Sequence, residues 1–232
     1  MIEAPLECRE RLPGNTVIII KKQLGWYHVF SFLENTWFFC IERMIFLEII
    51  KKNSKIYLIC GKARHGKDTI AAMIDEFYLE QGKSVLNLQF SSYIKEYAKK
   101  ISNWDGSEET KPRELLQQLG TSIIRERIDE LFFVKRMIRD LQVYHYFFDV
   151  LTISDSRAKV EVDSIREAFD TVVVIHVVRP NFDNGLTLEQ QKHFTEVDLD
   201  DYSHYDYEII NDGTLEDLKN KVIDIVRKED EK

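Results

Sequence analysis

The sequence predicts an α/β protein: a three-layer αβα sandwich built on a parallel five-stranded sheet. Two observations support this fold class. From residue 55 onward, short apolar runs rich in β-branched residues alternate with helix-compatible stretches, which is typical of a parallel sheet covered by helices. The run Val172–Val178 is apolar almost throughout, as expected of a strand that is buried on both faces of such a sheet.

The individual elements follow from the same patterns. Gly82 predicts the end of the first helix, and Gly120 predicts a break between two helices. Thr214, with Asp217 three residues later, predicts a capped start for the last helix. The predicted strands are residues 55–60, 84–90, 149–154, 172–178 and 207–210, and the predicted helices are residues 67–81, 93–101, 112–119, 122–130, 132–145, 160–169 and 215–227.

The loop between the first strand and the first helix has the spacing of a P-loop. It opens at Gly61 and closes at Gly66 and Lys67, with four residues between the glycines. In such a loop, backbone N–H groups surround phosphate oxygens, and the helix that follows presents its positive dipole end to the same anion. The residues predicted to bind the nucleotide are Gly61, Lys62, Ala63, Arg64, His65, Gly66, Lys67, Asp68 and Thr69.

Asp68 departs from the usual P-loop pattern, in which Ser or Thr at this position ligates magnesium. A carboxylate beside a triphosphate is repelled unless a cation lies between them. We therefore expect Asp68 to hold Mg²⁺, directly or through water, and the Thr69 hydroxyl to reach a phosphate. A glycine-bearing turn with an acidic helix cap remains the alternative interpretation.

Polar and basic residues follow the other predicted strands. They lie at residues 89–92, at residues 154–157 and at Arg179. Because ligands of open parallel sheets bind beyond the carboxyl ends of the strands, these residues are predicted to face the P-loop.

Composition narrows the classes of partner. The chain of 232 residues carries a formal net charge of −8, which argues against a nucleic acid or an anionic membrane as the main partner. The aromatic-rich stretch 25–50 contains charged residues, so no uncharged run reaches the length of about 18 residues that a membrane helix needs. Cys8, Cys40 and Cys60 lack metal-ligand or disulfide spacing and predict a reducing, cytoplasmic location.

Residues 1–50 are predicted to be an extension of a domain formed by residues 51–232. Two interpretations of the extension stay open. It is either an extra helix packed on the core or a segment added by an upstream start choice, with translation beginning near Met44.

From about residue 55 to residue 226 the chain resembles the P-loop nucleoside monophosphate kinases. It resembles most the phage-type deoxynucleoside monophosphate kinases and their bacterial relatives, in which Asp also follows the P-loop lysine. The motifs that carry the resemblance, in chain order, are GKARHGKDT at 61–69, SSYIKE at 91–96, LLQQLGT at 115–121 followed by Arg125, Asp155-Ser156-Arg157, His193 with Glu196 and Leu199, and Asp206 with NDGT at 211–214.

The resemblance implies ATP-dependent, Mg²⁺-dependent phosphoryl transfer to a nucleoside or deoxynucleoside monophosphate, giving the diphosphate. Lys67 would bridge the β- and γ-phosphates. Arg64 would touch the γ-phosphate or the acceptor, with a solvated loop arginine as the alternative. Arg179 would approach the transferred phosphate as a lid near residues 180–204 closes, with a charge that ends a strand as the alternative. Asp155 would also hold the magnesium shell, although a helix cap is an equal alternative for it. The residues implied on the acceptor side are Ser91, Lys95, Arg113, Arg125, Asp155 and Arg157. For Arg125, whose neighbours in sequence are charged, and for Lys95, a solvated surface face of the helix remains the alternative.

Two other functions stay open at this point. The first is a kinase for another small phosphorylated acceptor, such as dephospho-coenzyme A or phosphomevalonate. The second is a nucleotide-binding switch without transfer chemistry, which Asp68 and the acidic segment 180–204 motivate. The expected partner is a small nucleotide acceptor, with no nucleic acid or membrane, and the chain is expected to be a monomer or a homodimer.

Overall fold

The computed structural model describes residues 29–33, 36–40 and 53–232. The chain divides into two compact units, Met1–Ile50 and Lys51–Lys232, which are described separately. In the first unit, β1 (Val29–Leu33) pairs antiparallel with β2 (Thr36–Cys40). The extra-helix interpretation is therefore wrong for these residues, which form strands. A start near Met44 concerns a position outside the described residues.

The second unit is built on a five-stranded sheet in which every pair of neighbouring strands is parallel. The spatial order is β4-β5-β3-β6-β7, so β3, which precedes the P-loop, lies at the centre. The predicted fold class is confirmed. The strands are β3 (Lys55–Cys60), β4 (Val85–Leu88), β5 (Val150–Ser156), β6 (Val172–Val178) and β7 (Tyr207–Ile210).

The main differences between the predicted and the observed helices are three. The second helix begins at Phe90, inside the predicted strand 84–90, and not at residue 93. Gly120 does not break a helix: it lies inside a π-helix, where a Cβ would come 3.1 Å from the Ile94 side chain, so the glycine serves close packing. The segment predicted to be irregular contains two short helices. The helices are α1 (Lys67–Glu80), α2 (Phe90–Ser102), α3 (Arg113–Gln117), the π-helix (Gln118–Ile128), α4 (Phe132–Tyr144), α5 (Lys159–Ala168), α6 (Leu188–Gln191), α7 (Phe194–Val197) and α8 (Leu215–Asp230).

Helices cover both faces of the sheet, which completes the three layers. Side chains along β3 alternate between the faces: Leu58 packs with residues of α2, α4 and α5, and Ile59 packs with residues of α1 and α8. Both are fully buried, and each such aliphatic side chain contributes about 1.5–3 kcal/mol of transfer free energy. Because every neighbouring pair of strands is parallel, the carboxyl ends of the five strands share one edge of the sheet.

The predicted cap of the last helix is present. The Thr214 hydroxyl oxygen accepts a hydrogen bond from the Asp217 backbone N–H at 3.1 Å, and the Asp217 carboxylate accepts one from the Thr214 N–H at 2.9 Å. This reciprocal pair starts α8 directly after β7.

Candidate active site

The P-loop, residues 61–69, has a backbone that only glycine accommodates at its two ends. Gly61 and Gly66 have φ values of 143° and 102°. A Cβ at Gly61 would lie 2.5 Å from the Val177 carbonyl oxygen, and one at Gly66 would lie 2.8 Å from the Asn211 side-chain nitrogen. The loop therefore passes between β6 and the turn that follows β7. Gly61 is required by the nearby backbone carbonyl as well as by its positive φ, and Gly66 is required by its positive φ, since the Asn211 amide ends a flexible side chain.

Lys67 begins α1, and its side chain turns back over the P-loop. The residue is 5% exposed, and its Nζ donates a hydrogen bond to the Lys62 carbonyl oxygen at 2.7 Å. Burial, followed by the positive charge of Arg157, lowers the pKa of Lys67 to about 8. Nearby carboxylates, including Glu196, oppose this shift. An ammonium group is thus held inside the loop, where an anion would raise its pKa again.

Asp68 places an exposed carboxylate at the mouth of the loop. Its Oδ1 accepts hydrogen bonds from the Ser154 hydroxyl at 2.8 Å and from the Gln89 amide at 3.3 Å. Among the described residues, no group of three or more His, Cys, Asp or Glu side chains could hold a metal ion. A magnesium ion at Asp68 would therefore complete its shell with water and phosphate oxygens, which are the ligands this ion prefers.

Asp155 caps a helix. Its two carboxylate oxygens accept hydrogen bonds from the backbone N–H groups of Phe90 at 2.8 Å and Ser91 at 2.9 Å. The capped helix is α2, which comes earlier in the chain. Each carboxylate oxygen thus accepts one N–H of the helix, and the metal-binding role of Asp155 stays a prediction.

A cleft of about 680 Å³ opens beside the P-loop at Ala63. We call it the acceptor cleft, and its walls come from α2, α3, the π-helix, α6 and α7. Of the predicted acceptor-side residues, Arg125 and Arg157 line it. The cleft is also lined by Leu116, Gln117, Thr121, Phe194 and Glu196.

Arg125 is held in the acceptor cleft by a buried ion pair. Its Nη2 lies 2.6 Å from Glu161 Oε1, and its guanidinium lies 4.9 Å from the centre of the Phe194 ring. The Arg125 side chain is 16% exposed, which differs from the solvated surface face that its charged neighbours suggested. Glu161 is itself buried, and burial raises its pKa while Arg125 opposes the shift.

Arg157 is held by a second buried carboxylate. Its Nη1 lies 2.7 Å from Glu196 Oε1. Its backbone N–H donates to Glu161 Oε2 at 2.8 Å, so Glu161 supports both arginines. Glu196 Oε2 accepts a hydrogen bond from the Ala63 N–H of the P-loop at 3.0 Å.

Arg64 and Arg179 contact the predicted lid segment. Arg64 has a positive φ of 62°, and its Nη1 donates to the Asn184 carbonyl oxygen at 2.8 Å. The Arg179 guanidinium lies 3.9 Å from the centre of the Phe182 ring. Both side chains therefore lie between the P-loop side of the sheet and residues 180–204.

The structure does not bring every predicted residue to the acceptor cleft. Arg113 is 75% exposed on its side chain and lies 3.7 Å from Glu108. Lys95 contributes to lowering the pKa of the same glutamate. Neither lines the cleft, nor does Ser91. Their roles on the acceptor side stay predictions.

A family comparison connects this geometry with known proteins. The family model described as deoxynucleotide monophosphate kinase matches residues 77–222. The chain belongs to the deoxynucleotide monophosphate kinase family. The resemblance seen in the sequence motifs is confirmed.

Two curated members of this family, both from phages, are similar to the chain. The deoxynucleotide monophosphate kinase of Enterobacteria phage T4 is 36% identical over 111 residues, which cover 47% of this chain and 43% of the relative. The enzyme of the same name from Escherichia phage RB69 is 32% identical over 151 residues, which cover 64% of this chain and 56% of the relative. The chain thus spans about half the length of the curated relatives it matches.

Solved structures of two small-molecule kinases are also similar to the chain. The APS kinase CysC of Mycobacterium tuberculosis in complex with AMPPNP and APS is 12% identical, with a TM-score of 0.47 over 75% of this chain and 98% of that one. Shikimate kinase from Aquifex aeolicus is 11% identical, with a TM-score of 0.42 over 75% of this chain and 96% of that one. The fold class of this chain is assigned from its own sheet order and P-loop.

Sequence reasoning gave no role to Glu161, Glu196 or Phe194. Glu196 belonged to a motif shared with the deoxynucleoside monophosphate kinases, which was the available signal. Glu161 stands three residues after Ala158, the spacing of a helix cap, and its carboxylate accepts the Ala158 N–H at 3.1 Å. Phe194 carried no signal, because aromatic residues are common in cores and surfaces alike.

Within the part of the chain that the structure describes, no helix has the length and apolar character needed to cross a membrane. The cytoplasmic location and the monomeric or homodimeric state stay predictions.

Proposed function

We propose that this protein is an ATP-dependent kinase that transfers the γ-phosphoryl group of ATP to a deoxynucleoside monophosphate and forms the diphosphate. One observation supports this most directly: the P-loop opens at Ala63 into a cleft that contains two arginines, Arg125 and Arg157. A donor site and an acceptor site therefore share a boundary. Membership of the deoxynucleotide monophosphate kinase family supports the choice of acceptor.

On the donor side, the N–H groups of the P-loop and of the first turn of α1 would bind the β- and γ-phosphates. Lys67 would exchange the Lys62 carbonyl oxygen for phosphate oxygens, since its ammonium already lies inside the loop. Asp68 would hold Mg²⁺, which would neutralise charge on the same phosphates.

On the acceptor side, the two guanidinium groups would bind the oxygens of the monophosphate, because arginine matches phosphate geometry with paired N–H donors. Thr121 and Gln117 line the cleft further along the π-helix and α3, where the sugar and base would lie. Phe194 and Leu116 supply apolar surface in the same cleft.

The transfer itself needs little covalent chemistry from the protein. An oxygen of the acceptor phosphate would attack the γ-phosphorus, and the bond to the departing ADP would break. No general base is needed, because the attacking phosphate is already an anion. His193, whose ring contacts Thr195 at 2.9 Å, therefore has no required chemical step.

Residues 180–204 would act as a lid. The contacts of Arg64 with Asn184 and of Arg179 with Phe182 connect this segment to the donor side. Closure over both substrates would exclude water and favour transfer over hydrolysis. Arg64 and Arg179 would then turn from the lid residues to the transferred phosphate.

The test is a panel assay of the purified chain with ATP and Mg²⁺ against all ribo- and deoxyribonucleoside monophosphates. We expect ADP formation that depends on a deoxynucleoside monophosphate and falls by about 10³-fold in Lys67→Ala. The matched control is Lys83→Ala, an exposed lysine just beyond α1, which should keep normal activity.

Three outcomes would contradict the proposal. Equal ATP hydrolysis with and without every acceptor would rule out directed transfer. Product formed only with dephospho-coenzyme A or phosphomevalonate, included in the same panel, would indicate a different acceptor. Nucleotide binding without any phosphorylated product would indicate a switch.

A further inference from the structure

The side chain of Glu196 joins the two halves of the candidate site. One of its oxygens accepts the Ala63 N–H of the P-loop at 3.0 Å, and the other lies 2.7 Å from Arg157 Nη1. The Glu196 side chain is 5% exposed. A glutamate this buried is rare unless it is paired, because removing a carboxylate from water is costly without charged or hydrogen-bonding partners.

Arg157 has donors to spare. A guanidinium carries five N–H donors, and Glu196 uses Nη1. The remaining donors stay available for an acceptor phosphate in the cleft that Arg157 lines. The carboxylate thus restricts the arginine without occupying the whole of its binding face.

Arg125 provides an internal comparison. It too is paired with a buried glutamate, since Glu161 Oε1 lies 2.6 Å from its Nη2. The other oxygen of Glu161 accepts N–H groups at the start of α5, from Arg157 and Ala158. Of the two glutamates, Glu196 is the one that contacts the P-loop.

We propose that Glu196 is a positioning residue that fixes the guanidinium of Arg157 relative to the P-loop, so that the acceptor phosphate lies in line with the phosphate to be transferred. This inference rests on the proposed function. Misplacement of a reacting group by about 1 Å can lower the rate by about 10²-fold. A side chain that fixes Arg157 relative to the P-loop is therefore expected to have a large effect on the rate of transfer.

The main test is Glu196→Gln, which keeps the size of the side chain. Its single carbonyl oxygen can serve Ala63 or Arg157, while its NH₂ group faces the other donor. We expect the KM for the deoxynucleoside monophosphate to rise and kcat to fall, each by about tenfold, with the KM for ATP within about twofold of the original. The matched control is Glu167→Gln, at an exposed position on α5, which should change none of these constants.

A double-mutant cycle separates positioning from general structural damage. Arg157→Lys retains charge but loses the planar set of donors. If Glu196 acts through Arg157, Glu196→Gln adds little to Arg157→Lys, whereas its effect multiplies with that of Arg125→Lys. Full multiplication with Arg157→Lys would overturn the inference.

Glu196→Asp separates the contribution of the negative charge from that of the side-chain length. Aspartate keeps the negative charge but is one methylene shorter, so it cannot span both partners. We expect the same acceptor-specific loss, and full activity in this variant would overturn the inference. Unchanged kinetics in Glu196→Gln would also overturn it and leave the proposed function standing. A wild-type chain that phosphorylates no acceptor would overturn both.

Discussion

The donor loop and the acceptor cleft are built from different chemical groups. The P-loop uses backbone N–H groups and one lysine within residues 61–69, a stretch that is continuous in sequence. The acceptor cleft is lined by side chains from separate helices and from the loop after β5, and its two arginines are paired with two buried glutamates. The comparison teaches that the donor side is set by local backbone conformation, whereas the acceptor side is set by pairs of distant side chains.

The comparison is tested most strongly by the two arginines, whose substitution should change the KM for the acceptor more than the other substitutions do. Arg125→Lys and Arg157→Lys should each raise the KM for the deoxynucleoside monophosphate by about 10- to 100-fold, because lysine cannot form paired bonds to phosphate. The KM for ATP should stay within about twofold, since neither side chain belongs to the P-loop. Steady-state kinetics with each substrate varied in turn measures both constants. A KM for ATP that rises as much as that for the acceptor would show that the two sides are not separate.

The donor side should respond to pH through Lys67. Its pKa of about 8 lies below the ordinary value of 10.5 because of burial and the charge of Arg157. Bound phosphate favours the charged form, so binding above pH 8 requires proton uptake. The Kd for ATP should therefore rise with pH above about 8, approaching about tenfold per pH unit.

Equilibrium binding of ATP between pH 7 and pH 9.5 measures this dependence. In Lys67→Arg it should disappear, because the guanidinium stays charged throughout the range. A Kd that is independent of pH in the wild-type chain would contradict the assignment of Lys67 as the buried phosphate ligand.

The smallest effects separate the two aspartates. Asp68→Asn should raise the magnesium concentration needed for half-maximal activity by about tenfold, because a carboxylate near the ion is lost. Asp155→Asn should lower the free energy of unfolding by about 1 kcal/mol, since one of the two accepted N–H groups of α2 loses its partner. Magnesium titrations and thermal unfolding measure the two quantities. An equal rise in the magnesium requirement for Asp155→Asn would instead support its predicted metal role.

The donor side was predictable from sequence because its geometry is local. Two glycines and a lysine at fixed spacing, after an apolar strand, specify the turn that Gly61 and Gly66 adopt. The parallel five-stranded sheet was equally predictable from the alternation of apolar runs and helical stretches, whereas the spatial order of its strands was not predicted. The tight fit of Gly61 against the Val177 carbonyl oxygen could not be predicted, because it depends on the neighbouring strand.

The acceptor side was only partly predictable. Arg125 and Arg157 were identified through motifs, but their partners lie 36 and 39 residues further along the chain. No periodic pattern links positions at such separations. Asp155 shows the same limit at the start of α2. The sequence predicted that this helix begins at residue 93. Phe90 and Ser91, whose N–H groups donate to Asp155, therefore lay outside the predicted helix.

The most direct test of the account is a crystal structure with a bisubstrate analogue in which adenosine and a deoxynucleoside are joined through a chain of five phosphates. We expect the phosphates next to adenosine on the N–H groups of residues 61–69, and the phosphate next to the deoxynucleoside between Arg125 and Arg157, with Glu196 still bonded to Arg157. An analogue whose deoxynucleoside end lies outside the acceptor cleft would contradict the account.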